Sequence, residues 1–233
     1  MAHGCGQEHS HASLVAQFQK PVVSTTGRTE GVSQIQHHYE GDDVIVRKIR
    51  VGDMENNVYV LEDPETHDAL LVDGCFEADR ILAGCEGANV VGIVQTHAHA
   101  DHIQALPNLV EWLGVPVYAH PGEDYPVAIN AVLSDGDQVH FGNREAQVLF
   151  TPGHTPGGIC LLTGEHLISG DTLFPGGPGN TWGSREGFAQ IIDAIETKLF
   201  TLPGETRVYP GHGNDTTIGT EKPHLEEWRE RGW

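Results

Sequence analysis

A layered α/β sandwich is the fold class this 233-residue chain predicts, on three observations. Short β-branched runs alternate with a few helical segments, the pattern of sheets covered by helices. Several runs close on a turn and then a histidine or aspartate, so donor side chains gather at strand ends. Between Ser184 and Leu199, apolar residues recur at helical spacing, as in a helix lying on a sheet.

The elements follow in order. Residues 1–43 read as a polar N-terminal extension, with His3, His9, His11, His37 and His38 among Ser, Thr, Gln and Gly and little apolar periodicity. A single domain follows, residues 44–233, a length one core can serve. VIVRKIRV from Val44, NNVYVL from Asn56 and ALLVDG from Ala69 predict a strand meander, with Gly52, Asp53, Asn56, Asn57 and DPETHD as turn residues. Ala78 to Gly84 can form a short helix, and NVVGIVQ is the strand that delivers Thr96. A helix is expected over Ile103 to Leu113, striped by Ile103, Leu106, Leu109 and Val110, with Pro107 kinking it or delaying its start. PVYAH, QVHFG, AQVLFT, ICLLTG and HLISGD supply further strands. Phe188, Ile191, Ile192, Ile195 and Leu199 then form the helical stripe, read as core packing. The tail EKPHLEEWRERGW reads as a solvated helix anchored by Trp228 and Trp233, although Lys222, Arg229 and Arg231 suit an anionic ligand.

Composition limits the partners. With 33 acidic residues against 13 Lys and Arg, the formal charge is −20, which repels phosphate backbones and anionic lipid. Nucleic-acid and membrane partners are therefore not expected, and no stretch approaches the about 18 apolar residues of a membrane span. The start MAHGCGQEHSH lacks a basic region followed by an apolar run, so a cytoplasmic location is expected. The four cysteines, Cys5, Cys75, Cys85 and Cys160, contain no CxxC pair and are read as reduced thiols, a Cys75–Cys85 bridge being the alternative.

The run THAHADH, Thr96 to His102, is the densest chemical signal. His97 and His99 can reach one metal ion, while Asp101 and His102 point toward a second position nearby. The small Ala98 and Ala100 leave room for the ligands to converge. The bland alternative is a polar loop of surface histidines. Further donors recur downstream: His154 in TPGHTPGG, Asp171 at the end of HLISGD and His212 at the end of RVYPGH. Taken singly these would be loop histidines and a turn-capping acid, but their shared strand-end setting makes seven candidate metal ligands.

THAHADH, TPGHTPGG, SGDTLF and YPGHG, in this order, resemble the metallo-β-lactamase fold hydrolases and most closely their glyoxalase II-like branch. The resemblance spans about Val44 to Gly219. It implies a four-layer αββα sandwich with two metals at one edge of the sheets. It assigns His97, His99 and His154 to the first metal and Asp101, His102 and His212 to the second, with Asp171 bridging and a water or hydroxide between the ions as nucleophile. Two divalent ions are expected, zinc first, with iron and manganese also suited to these donors. Aspartate at 171, where many true β-lactamases of this fold carry cysteine or serine, argues against antibiotic hydrolysis.

Such a metal pair can polarise a carbonyl while the pKa of bound water falls from 15.7 to about 7. A thioester of the hydroxyacyl-thiol type, or a small ester, is the substrate expected on that resemblance, with Asp101 as a catalytic residue that also orients the water or accepts its proton. Gly213 follows His212 where glyoxalase II enzymes show an acidic residue and then a tyrosine, and their helical C-terminal domain is missing, so glutathione itself is in doubt. The loop FPGGPGNTW, Phe174 to Trp182, reads equally as a pocket wall, with Asn180 and Thr181 as substrate-binding residues, or as a tight connector. Asp73 either fixes a ligand imidazole or caps a turn. The competing class is a persulfide dioxygenase, which shares a THxHADH run and holds a single non-haem iron on residues corresponding to His97, His154 and Asp171.

Overall fold

The apolar strands bury both faces, and that is why they stack as two sheets between helices. The structure, a computed structural model, describes residues 37–232; the polar extension up to residue 36 and Trp233 lie outside the described residues. One sheet runs in sequence order through β1 (Tyr39–Glu40), β2 (Ile45–Val51), β3 (Asn56–Glu62), β4 (Asp68–Val72), β5 (Asn89–Val94), β6 (Val117–Ala119) and β7 (Ala131–Val132). It is antiparallel up to β4 and parallel from β4 to β7. The second contains β8 (Gln138–Phe141), β9 (Arg144–Phe150), β10 (Ile159–Thr163), β11 (His166–Gly170), β14 (Arg207–Pro210) and β15 (Thr216–Thr217), in the order β15-β14-β11-β10-β9-β8. A small hairpin, β12 (Leu173–Phe174) and β13 (Gly177–Pro178), follows the second sheet's β11. Because β1 pairs with β2, the first sheet starts upstream of Val44, inside the segment the sequence assigns to the extension.

Alternation along each strand sorts the side chains into layers. Tyr59, Leu61, Leu70 and Val72 meet Val148, Ile159, Leu161 and Ile168 between the sheets. Their neighbours Val58, Val60, Ala69 and Leu71 face outward against Ile81 of α1 (Ala78–Gly84) and Leu106 and Leu109 of α3 (Leu106–Leu113). On the far side, Cys160, Leu167 and Val208 pack against Ile191 of α4 (Arg185–Ala194), the π-helical turn Ile195–Leu199 and Trp228 of α6 (Leu225–Arg231). The layers therefore run αββα, as the resemblance implies.

Two local expectations are resolved. The helix predicted over Ile103 to Leu113 is broken: α2 spans Ala100–Ile103, and α3 begins at Leu106 with Pro107 in its first turn, where a missing N–H leaves no bond unmade. The C-terminal tail is a helix anchored by Trp228, as the sequence predicts, while Trp233 lies outside the described residues. After α5 (Ile218–Glu221), α6 buries Trp228, whose ring lies 5.9 Å from that of Phe200. Cys75, Cys85 and Cys160 are buried free thiols, so the Cys75–Cys85 bridge does not form, and burial pushes all three up to about 11.

Asp63, fully buried at the end of β3, ties this sandwich together away from the donor cluster. It accepts hydrogen bonds from the Asn143 amide (2.7 Å), the Glu65 amide (3.0 Å) and Thr66 Oγ1 (2.8 Å), joining the β3–β4 turn to the β8–β9 turn. Burial opposes its charge, but these bonds and Arg144 outweigh that and hold the carboxyl below its ordinary value. A depressed folded value means the charge-linked stabilisation is present above the unfolded pKa and lost as pH falls through the folded one. Asp63→Ala is expected to cost about 2–3 kcal/mol at neutral pH by stranding buried amides. Urea unfolding checks this: the gap to wild type should narrow below about pH 4, and equal midpoints at neutral pH would refute it.

Candidate metal centre

Strand ends from both sheets meet at one edge of the sandwich, and they carry the donors. The segment after β5 brings His97, His99, Asp101 and His102; β9 leads to His154, β11 to Asp171 and β14 to His212. All seven predicted ligands come together there. Their donor atoms form three groups, each within 4.8 Å: His97, His99 and His154; His97, His102 and Asp171; Asp101, His102 and His212. His154 Nε2 stands 2.9 Å from His99 Nδ1, and His102 Nε2 stands 3.2 Å from His212 Nε2. The Asp171 carboxylate lies between these pairs, 3.4 Å from His154, 3.5 Å from His102 and 3.5 Å from His212.

In His102, His154 and His212 the outer ring nitrogen is held by a fixed partner, which turns the inner one toward the other donors. His154 Nδ1 donates to the Asn180 carbonyl (2.8 Å), and His212 Nδ1 donates to the Met54 carbonyl (2.9 Å). Asp73 accepts from His102 Nδ1 (2.9 Å) and from the Thr96 amide (2.7 Å) and hydroxyl (2.8 Å). Asp73 therefore fixes a ligand imidazole as well as the loop that enters the site. Its left-handed backbone, φ 67°, is the cost of aiming it. Asn56, read from sequence only as a turn residue, is fully buried at the start of β3 and donates to Asp101 Oδ2 (2.9 Å). No local signal separated it from Asn57. At Gly211 an added Cβ would stand 2.7 Å from His102 Cε1 and would collide with Asp171, so glycine is required by the closeness of the donors.

The charges are strongly coupled. Burial, then repulsion from the surrounding histidines, keeps His97 well below the usual histidine range. Burial works the same way on His102 and His212, but carboxylate partners overcome it: Asp73 raises His102, and Asp101 and Asp171 raise His212 to about 10. The hydrogen bond from His212 holds Asp101 well below the carboxylate range despite burial. Burial alone would raise Asp171, yet His212, His102 and His154 bring it below its ordinary value.

Two buried atoms in this cluster, His97 Nε2 and Asp171 Oδ1, have no hydrogen-bond partner. Leaving an imidazole nitrogen and a carboxylate oxygen unpaired in the interior is costly, and a divalent cation among these donors would satisfy both. The residues present thus fit divalent metal ions: neutral or deprotonable imidazoles and carboxylates, with no competing thiol among the donors.

A cavity of about 670 Å³ opens onto His99, Asp101, His154, Asp171 and His212. Its other walls include Met54, Phe174, Trp182 and Arg231, with the backbone of residues 175–180. The FPGGPGNTW loop is therefore a pocket wall. Asn180 belongs to that wall, with its side-chain oxygen engaged by the Trp182 amide (2.7 Å); Thr181 is buried, 9% exposed, and is not among the wall residues. Trp182 ends the loop that the sequence offers as a wall and lines the cavity with it. It is 63% exposed, adopts φ 49°, and sets its ring 5.0 Å from both the His99 and His154 rings. A hollow of similar size, about 690 Å³, lies at the far end of β3 around Arg47 and Glu62 and contains none of the seven donors.

A family model for the metallo-beta-lactamase superfamily matches residues 51–212, from the second strand to the last histidine of the cluster. The chain belongs to the metallo-beta-lactamase superfamily. The metallo-beta-lactamase fold binds divalent metals, and this member places His and Asp groups accordingly. It is 38% identical over 187 residues to a hydroxyacylglutathione hydrolase of Gloeobacter violaceus, covering 76% of this chain and 73% of that one. It is 33% identical over 172 residues to a probable polyketide biosynthesis zinc-dependent hydrolase of Bacillus subtilis, covering 71% of this chain and 76% of the relative. Among solved structures, it is similar to ETHE1 from Myxococcus xanthus, with a TM-score of 0.70, 33% identity and coverage of 78% and 83% of the two chains. These likenesses fit the glyoxalase II-like branch of the superfamily.

Proposed function

We propose that this protein is a dinuclear metal-dependent hydrolase that cleaves a thioester of the hydroxyacyl-thiol type, or a small ester. The observation that carries the proposal is that two donor groups, His97, His99 and His154 on one side and Asp101, His102 and His212 on the other, are linked by a third formed by His97, His102 and Asp171. Bound as a pair, divalent ions would supply an electrophile for the acyl carbonyl and lower the pKa of water. In this reading His97, His99 and His154 would hold one ion and Asp101, His102 and His212 the other, with Asp171 available to both. Asp101, fixed by Asn56 and facing the cavity, orients the attacking water or accepts its proton. Zinc is the proposed metal, supported by the zinc-dependent relative; a solved structure of similar fold, 32% identical with a TM-score of 0.63, is in a di-iron-bound form, so iron is the competitor.

The proposed partner is a small molecule, for which the cavity has room. Arg231 puts a cation in its wall, suited to an anionic thiol carrier or acyl group. The formal charge of −20 disfavours nucleic acid, and no helix among the described residues is long and apolar enough to cross a membrane. A cytoplasmic site of action is proposed with it, since buried free thiols fit a reducing compartment.

The second reading, a persulfide dioxygenase with one non-haem iron on His97, His154 and Asp171, draws on the likeness to ETHE1. Asp101 and His212, which a single iron on those three residues leaves unused, complete a further donor group with His102, and that favours the dinuclear hydrolase. The test is a panel of acyl thioesters, including a hydroxyacylglutathione, and matched amides, with protein stripped by chelator and reloaded with zinc or iron. Zinc-dependent thiol release is the expected result. Oxygen uptake with a persulfide, with no thiol release from any thioester, would reverse the assignment.

A further inference from the structure

His97 and His99 stand on the segment after β5 of the first sheet, whereas His154 stands on the turn after β9 of the second. Their convergence depends on how the two sheets are set against each other at this edge. Outside the donor set, the Trp182 ring lies against His99 and His154, and one carboxylate hydrogen-bonds to the backbone of both loops. Glu123, in the connection between β6 and β7, accepts a short hydrogen bond on Oε2 from the Ala98 amide, between the two histidines of the first loop. Its Oε1 accepts from the Gly157 amide at 2.9 Å, three residues beyond His154. At Gly157 an added Cβ would stand 2.7 Å from Glu123 Cγ, so the glycine admits the carboxylate to the turn. The connection is itself moored to the second sheet: His120 stacks on Phe150 at 4.3 Å and 15°, and its Nδ1 accepts from the Gly122 amide at 3.1 Å.

We propose that Glu123 is a positioning residue for the metal centre, its carboxylate bridging Ala98 and Gly157 and so setting the separation of the His97–His99 loop from the His154 turn. A carboxylate that accepts two amide protons makes charge-assisted bonds, stronger and more directional than neutral ones. Glutamine at this position offers a single oxygen and an NH₂ that cannot accept, so it can keep one bond and must lose the other. Alanine loses both. The inference rests on the metal-centre reading above and not on the identity of the substrate.

The test is zinc affinity of the full chain, measured by competition with a chromogenic chelator, for wild type, Glu123→Ala and Glu123→Gln. Histidines of the N-terminal extension are common to all three proteins and cancel in the comparison. Partners that orient metal ligands typically contribute 10–100-fold in affinity. Glu123→Ala is expected to bind zinc about 10–100-fold more weakly, with Glu123→Gln between it and wild type. Wild-type zinc affinity in both variants overturns the proposal, even if both melt earlier than wild type, because that is the signature of a merely structural contact. Should Glu123→Ala fail to fold, Glu123→Gln decides alone: weaker binding supports the role, and unchanged binding overturns it. Failure of wild type itself to bind zinc would sink the metal-centre reading, whereas zinc binding without thioester cleavage would sink only the proposed reaction.

Discussion

Asp171→Ala is expected to abolish hydrolysis, with a loss of at least about 10³-fold in kcat/KM, the size seen when a main electrostatic element of an active site is removed. Among the seven donors it has the most pivotal position: its Oδ2 faces His154 at 3.4 Å and His212 at 3.5 Å, and its Oδ1 faces His102 at 3.5 Å. Its removal takes away a carboxylate shared by His154, His102 and His212, and with it one of the groups that raise His212. Bound zinc should fall from about two ions per chain to about one or fewer, because the bridging donor is lost. Elemental analysis alongside thiol release from the preferred thioester checks both. Retention of two ions and of the wild-type rate would rule out a bridging role.

Asp101→Ala is expected to lower thioester hydrolysis about 10²-fold or more, the range associated with a positioned acid or base. Asp101 belongs only to the group with His102 and His212, where its carboxylate receives Asn56 at 2.9 Å and lies 3.2 Å from His212. The group His97, His99 and His154 is untouched by the change. Metal content should therefore drop to about one ion per chain, since one of the two sites loses a protein ligand. The same variant separates the two readings of the chemistry. A single iron held by His97, His154 and Asp171 would survive it, so unchanged iron content and persistent oxygen uptake with a persulfide would favour the dioxygenase.

Much of this was legible along the chain because the signals are local. Donor type, strand period and, for His154, Asp171 and His212, a glycine or proline turn before the donor lie within a few residues of one another, so these and THAHADH could be picked out without knowing what they face. The helical stripe from Ser184 was legible for the same reason, though its last turn is π-helical. The break between α2 and α3 was not, because Pro107 is compatible with either a kink or a fresh start, and the packing of Leu106 and Leu109 on the first sheet selects the latter.

What the sequence by itself determined is the chemistry available at the site: five imidazoles, two carboxylates and the strand ends that bear them. The tertiary structure decided which groups, those the sequence offered and those it did not, hold those donors in place or line the cavity beside them. Asn56 reaches Asp101 across 45 residues, and Glu123 reaches Ala98 across 25. Arg231 and Trp182 come to one cavity from a terminal helix and a loop. These partners carry no motif, since a hydrogen-bond acceptor or an apolar wall is specified by distance and direction alone. The packing of two sheets, set by Tyr59, Leu61, Val148 and Leu161 between them, supplies those distances.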